Sequence, residues 1–232
     1  MRPDLAESME FMKPIVMFGV GKFADLIYFY FKHDSPFKVQ AFTVDQAYLK
    51  ETTFHGLPVT PFESLEKDFP PAEFDLFVAM GYNDLNQLRA ARIRQVRAKG
   101  YKMVNYIHPR ALISRDLMIG ENCCFLENVL IQPFSQAGDG VVILPATNIG
   151  HNARIGDFCY ISGTCCISAM VTFGPYCFVS LNTTFKPGIK VGQSAIIGAG
   201  ALILSDVPDE SVYIAKGTPQ APRSSKFYRK FI

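Results

Sequence analysis

The 232-residue sequence has no apolar stretch approaching the roughly 18 residues of a membrane span, no C-x-x-C pair and no marked excess of either charge. Its 23 Lys and Arg against 21 Asp and Glu leave a net charge of +2, too mild for an electrostatic footprint on nucleic acid. No Lys/Arg run precedes the short tail at Arg223, Lys226, Arg229 and Lys230. Residues Met1–Met12 carry Asp4, Glu7 and Glu10 and no hydrophobic run, which argues against a secretory signal. Six cysteines, including the adjacent pairs Cys123–Cys124 and Cys165–Cys166, lack zinc-ribbon or redox spacing. The expectation is a cytoplasmic chain with reduced thiols and neither nucleic-acid nor membrane partners. Histidine is scarce, at positions 33, 55, 108 and 151 only, while 49% apolar and 19% charged residues exclude disorder.

Two regimes follow. Up to about residue 108, short β-branched runs alternate with helical stretches: Ile15–Phe18, Phe23–Lys32, Val39–Val44, Phe74–Ala79, Leu85–Lys99 and Met103–Ile107. This alternation predicts βαβ units on a parallel sheet. Asn83-Asp84 is the expected N-cap of the second helix and Gly100 its C-terminal glycine. His108-Pro109 then ends the last strand, because proline cannot donate to a ladder.

From Ile113 an apolar residue recurs every six positions through Ile203, sixteen in register. With half of all positions apolar, chance gives such a run with a probability on the order of 10⁻⁵. Glycine follows many of them (Gly120, Gly138, Gly150, Gly156, Gly174, Gly192, Gly198), and the fourth residue after each apolar position is usually small or β-branched. Six residues per side and about 18 per turn describe a three-sided left-handed parallel β-helix, with glycine expected to relieve the backbone where it turns. Four cysteines, Cys123, Cys159, Cys165 and Cys177, fall at the small inward position and are expected to pack. The division is thus 1–108, an α/β Rossmann-like domain, and 109–232, a β-helix with a tail.

These residues resemble the hexapeptide-repeat acyltransferases, and among them the two-domain sugar acetyltransferases of bacterial glycan biosynthesis. The matching pieces are Gly19-Val20-Gly21, Val44-Asp45, Gly81-Tyr82-Asn83, Ile107-His108-Pro109, Asn148-Ile149-Gly150-His151-Asn152, Ile197-Gly198-Ala199-Gly200-Ala201 and Gly217-Thr218-Pro219-Gln220-Ala221. The resemblance implies a homotrimer, acetyl-CoA as cosubstrate in the groove between neighbouring β-helices, and an amino sugar whose nucleotide the N-terminal domain holds.

Acyl transfer to an amine needs a group that takes a proton near neutral pH. His151 is the sole histidine inside the repeat and matches the family's Gly-His motif, so it is the expected general base. Relatives commonly place a carboxylate directly after it; here stands Asn152, which can orient the ring but supports its positive charge less well. Asp157, six residues past His151, substitutes only if the coil lets it reach. The resemblance places Tyr160 where relatives carry a second histidine at the acetyl group, so its hydroxyl either donates to the acetyl carbonyl or the side chain simply packs. Ala169, one coil beyond His151, offers a backbone N–H to the developing oxyanion. Gly198 and Gly200 resemble positions that admit the pantetheine arm, and Lys216 and Arg223 are candidates for the CoA phosphates.

In the N-terminal half, Gly19-Val20-Gly21-Lys22-Phe23-Ala24 fits G-x-G-x-x-A after a strand, where a helix start suits a phosphate. With Lys22, Gly81 and Asn83, and with Asp45 as acceptor for a ribose hydroxyl or a base N–H, it forms the expected acceptor site. Other readings remain at this stage: an O-acetyltransferase of a free or sialic-acid-like sugar, or a non-catalytic scaffold. An NAD-dependent oxidoreductase leaves sixteen hexads unexplained, and a β-helical zinc hydro-lyase needs three histidines where the repeat has one. No metal is expected.

Overall fold

The computed structural model describes residues 12–229; Asp4, Glu7, Glu10 and Lys230 lie outside the described residues. In the N-terminal part, β1 (Ile15–Phe18), α1 (Lys22–Asp34), β2 (Val39–Val44), β3 (Thr53–Phe54), β4 (Leu57–Pro61), β5 (Asp75–Val78) and α2 (Gln87–Ala98) follow in order. The sheet runs β3-β4-β2-β1-β5, parallel except for the antiparallel edge strand β3. All four β1 residues are buried because its alternate side chains feed two cores. Ile15 and Met17 pack with Ile27 and Phe31 of α1; Val16 and Phe18 pack with Ile93 and Val96 of α2.

Three local expectations are corrected. The strands β3 and β4, between Val44 and Phe74, have no counterpart in the sequence reading. Helix α2 starts at Gln87, because Asp84, Leu85 and Asn86 all take positive φ (50°, 45° and 67°). Asn86 is buried in this turn, and its side-chain N–H donates to the Cys177 carbonyl at 3.5 Å. The strand expected over Met103–Ile107 divides: Met103 bridges Leu76, whereas β6 (Tyr106–Ile107) pairs with Cys124–Phe125 in the repeat. Asn105 drives that switch by donating to the Gly120 carbonyl and accepting from the Cys123 N–H.

The repeat forms a three-sided parallel prism. Sixteen two-residue strands, β7 (Leu112–Ile113) to β22 (Leu202–Ile203), recur every six residues, and each ends on one of the sixteen apolar residues. Partners lie 18 residues apart, as Leu130 pairs with both Leu112 and Asn148. Three faces result, running through β13 (Asn148–Ile149), β14 (Arg154–Ile155) and β15 (Tyr160–Ile161); β23 (Val212–Tyr213) adds a last strand to the third. The four inward cysteines are buried alongside Phe125, Ile143, Ile161 and Phe185.

Glycine serves the corners differently from the expectation. The left-handed residue comes two positions after the repeat glycine and is not itself glycine at Asn122, Asn152, Phe158, Tyr176 and Ser194; Met170 takes the same conformation after Ser168, and among the corners that follow a repeat glycine only Gly140 and Gly200 are glycines. Glycine is needed where coils touch: a Cβ on Gly150 would lie 2.5 Å from the Ala169 nitrogen, and one on Gly156 2.6 Å from the Gly174 carbonyl carbon. Stacked backbone leaves no room for a side chain.

The N-terminal part docks on the third face. Cys124, Leu126, Val142 and Tyr160 of that face share a core with Ile15, Ile27, Phe31 and Phe77. Asn122 presents its side-chain amide to β5, accepting from the Val78 N–H at 2.6 Å and donating to the Val78 carbonyl at 3.2 Å. Tyr30 donates to Glu127 at 2.7 Å.

Candidate active site

His151 is exposed at the corner between the first and second faces. Its N–H donates to Gln132 Oε1 at 3.0 Å and its carbonyl accepts from the Met170 N–H at 2.9 Å, which pins the corner from the coils on either side. Asn152, left-handed at φ 57°, lies with its side-chain Nδ2 2.8 Å from His151 Nδ1. Asp157 does not take the carboxylate's place at His151: its Oδ1 accepts from the Asp139 N–H. Ala169 sits one coil on, against Gly150; among the described residues no group accepts its N–H. A corner pinned by both neighbouring coils thus holds an exposed imidazole, with the Ala169 N–H one coil on and, among the described residues, without an acceptor.

The second cluster lies in the N-terminal part. Gly19, Gly21, Lys22, Asp45, Gly81 and Asn83 line one cavity of about 630 Å³. Gly19 takes φ 117°, where a Cβ would lie 2.9 Å from the Ala79 carbonyl oxygen, so the loop passes close to β5 before α1 opens. The first N–H groups of α1 lack helical acceptors, as at any helix start, and such a start suits an anion. Asp45 is not a free acceptor, because Arg92 pairs with it at 2.5 Å. Arg92 also lies over the rings of Phe18 and Phe62, and with Tyr48 and Tyr82 it completes a wall that the sequence reading missed. A smaller cavity of about 230 Å³ shares Val44 and Tyr48 with the first and adds Lys50, Glu51 and Phe54.

The two clusters do not meet within one chain. The corner that carries His151 is opposite the face on which the N-terminal part docks. Tyr160 is on that docked face and does not join His151: it is 5% exposed, boxed by Tyr82, Phe178 and Phe23, and its hydroxyl is pushed up to about 12 by burial. Its aromatic side chain fills the interface between the two parts. Among the pantetheine candidates, Gly200 is open at φ 70°, whereas Gly198 is covered by the Tyr213 carbonyl of β23. Lys216 and Arg223 are exposed on the tail, and Arg223 lies over the Phe227 ring. Among the described residues, no group of three or more His, Cys, Asp or Glu side chains is placed to hold a metal ion, and no helix is long and apolar enough to cross a membrane.

PerB of Caulobacter crescentus, solved with CoA and GDP-perosamine, superposes with a TM-score of 0.78 at 26% identity, covering 88% of this chain and 95% of that one. The chain is a structural relative of the hexapeptide-repeat sugar acetyltransferases. The acetyltransferase domain of PglB from Neisseria gonorrhoeae shares the fold, with a TM-score of 0.75 at 23% identity over 88% of this chain and 96% of that one in its acetyl coenzyme A complex. In sequence, an acyl-(acyl-carrier-protein)–UDP-N-acetylglucosamine O-acyltransferase of Stenotrophomonas maltophilia is 29% identical over 100 residues, 40% of this chain and 38% of that protein. The chain therefore spans well under half the length of the curated relatives it matches first. No family model matches the sequence.

Proposed function

We propose that the chain is an acetyl-CoA-dependent N-acetyltransferase acting on a nucleotide-linked amino sugar for surface-glycan biosynthesis, working as a cytoplasmic homotrimer. The observation that carries this reading is the single cavity holding all six expected acceptor-site residues, on a fold whose relative PerB was solved with CoA and a nucleotide amino sugar. In this reading residues 1–108 are a Rossmann-like nucleotide-sugar domain and residues 109–232 a left-handed β-helix that carries the acyl chemistry. The diphosphate rests at Gly19–Lys22, and the base enters the adjoining 230 Å³ cavity.

Because His151 and the acceptor cavity lie on opposite sides of one chain, the working site joins the cavity of one protomer to His151 of a neighbour. A closed ring of three prisms repeats that junction three times. His151 Nε2 takes a proton from the acceptor amine as its nitrogen attacks the thioester carbon. The oxyanion accepts the Ala169 N–H. The carbon–sulfur bond then breaks, and the CoA thiolate leaves with the proton returned from the imidazolium. Gly200, Lys216 and Arg223 serve the CoA arm and phosphates.

Thiol release from acetyl-CoA against a panel of amino-sugar nucleotides tests the reading, with GDP- and UDP-linked sugars expected to give turnover and an alkali-stable amide product. An alkali-labile ester, or turnover of free sugars only, would favour the O-acetyltransferase alternative. No thiol release with any acceptor would leave a scaffold.

A further inference from the structure

Arg89, on α2, is 1% exposed, yet among the described residues no carboxylate pairs with it. One guanidinium nitrogen donates to the Gly81 carbonyl at 3.3 Å and the other to the Phe158 carbonyl of the prism at 3.1 Å; Nε has no partner among the described residues. The cation lies 5.8 Å from the centroid of the Tyr160 ring, which packs edge-on against Tyr82 at 5.0 Å. Gly81 and Tyr82 are both walls of the acceptor cavity.

Burial of an unneutralised charge is expensive, and an apolar side chain of similar volume usually fills such a place at lower cost. Burial also pulls the guanidinium down to about 10, still charged at neutral pH. Two backbone carbonyls and an aromatic face hold the cation without cancelling it. By contrast, Arg92 in the cavity wall is already matched by Asp45.

We propose that Arg89 is a positioning residue for the acceptor site: it ties the Gly81–Asn83 wall to the prism and sets an uncancelled positive charge behind that wall, favouring a diphosphate in the cavity. The inference rests on the sugar-nucleotide reading. It makes the interface between the two parts of the chain a determinant of acceptor affinity, although Arg89 touches no ligand.

The test uses Arg89→Met and Arg89→Lys in the full chain, with calorimetric titration of GDP, UDP and CoA and steady-state kinetics. Met removes fork and charge at similar volume; Lys keeps the charge and loses the fork. For Met the expected result is at least about tenfold weaker binding of the nucleoside diphosphate, a raised acceptor KM, a shallower salt dependence and unchanged CoA affinity. Lys is expected to lose about threefold while keeping the salt slope. Diphosphate binding by Met within twofold of the parent overturns the inference, and so does an equal loss for CoA, which marks a merely structural role. Should Met fail to fold, Lys decides by the same twofold limit. Absence of binding by the parent to either diphosphate overturns the acceptor reading itself and the role of Arg89 with it.

Discussion

Asn152 donates its side-chain N–H to Nδ1 of His151 at 2.8 Å, an arrangement that puts the neutral ring's proton on Nε2. A base working through Nε2 needs the opposite tautomer. Half a turn of the amide presents Oδ1 instead, which accepts Nδ1–H and frees Nε2. Asn152→Asp removes the need for that turn and supports the imidazolium, so kcat is expected to rise about fivefold, the worth of about 1 kcal/mol from a charge-assisted bond. An unchanged or lower kcat in stopped thiol-release assays would show that the amide is already the better partner.

His151→Ala is expected to lower kcat at least about a hundredfold with little change in the KM for acetyl-CoA, because a general base acts in the transition state. Retention of more than a tenth of the activity would remove His151 from the chemistry.

Asp45→Ala leaves the Arg92 guanidinium without its carboxylate in a half-buried wall. The KM for the sugar nucleotide is expected to rise about tenfold, as for a buried donor left unpaired, with acetyl-CoA binding untouched. The free amino sugar serves as comparison: equal kcat/KM for it and its nucleotide conjugate would count against nucleotide recognition by this cavity.

Gly150→Ala forces a Cβ to within 2.5 Å of the Ala169 nitrogen and 2.7 Å of the Ser168 carbonyl carbon. Chemical denaturation should show a loss of about 1–3 kcal/mol. Gly21→Ala meets no atom within 4 Å at φ −87° and should leave stability within about 0.5 kcal/mol of the parent. Equal costs at both sites would refute coil spacing as the reason for glycine.

Burial is the leading cause that pushes the hydroxyls of Tyr30 and Tyr101 up to about 12, with Glu127 adding to it at Tyr30 and Glu66 at Tyr101. Unfolded tyrosines ionise near 10, so between pH 10 and 12 the folded chain holds protons that the unfolded chain has lost. Stability contributed by these groups is present below pH 10 and disappears as pH rises toward 12. Equilibrium unfolding across that window should show the decline, and it should shrink in Tyr30→Phe combined with Tyr101→Phe.

The prism was legible because its cause is local: a six-residue period needs only near neighbours, and every strand from Leu112–Ile113 to Leu202–Ile203 ends where that period places it. The α1 loop was legible for the same reason, since Gly19 and Gly21 must start a helix after a strand. The late start of α2 was not. It depends on Asn86 meeting the Cys177 carbonyl 91 residues away, a contact that creates a left-handed turn where local signals favour an N-cap. Arg89 was missed, and Tyr160 stayed open between the acetyl group and ordinary packing, because only the docking of one part on the other buries that arginine and fixes where the tyrosine lies. Glycine was located correctly and explained wrongly: its spacing is visible in one dimension, but the neighbouring coil that forbids a side chain is not.

The stacked coils also work as a ruler. Position 205 stands three coils of 18 residues past His151, and at about 4.8 Å between neighbouring strands the step is about 14 Å along the axis. The tail that carries Lys216 and Arg223 begins beyond that mark, whereas the N-terminal part grips coils between Asn122 and Phe178. Deleting or duplicating one 18-residue coil after Phe185 would shift the tail by a single notch and leave the acceptor cavity where it is. The distance from His151 to the tail is therefore set by a whole-number count of turns, a quantity that can change only in jumps.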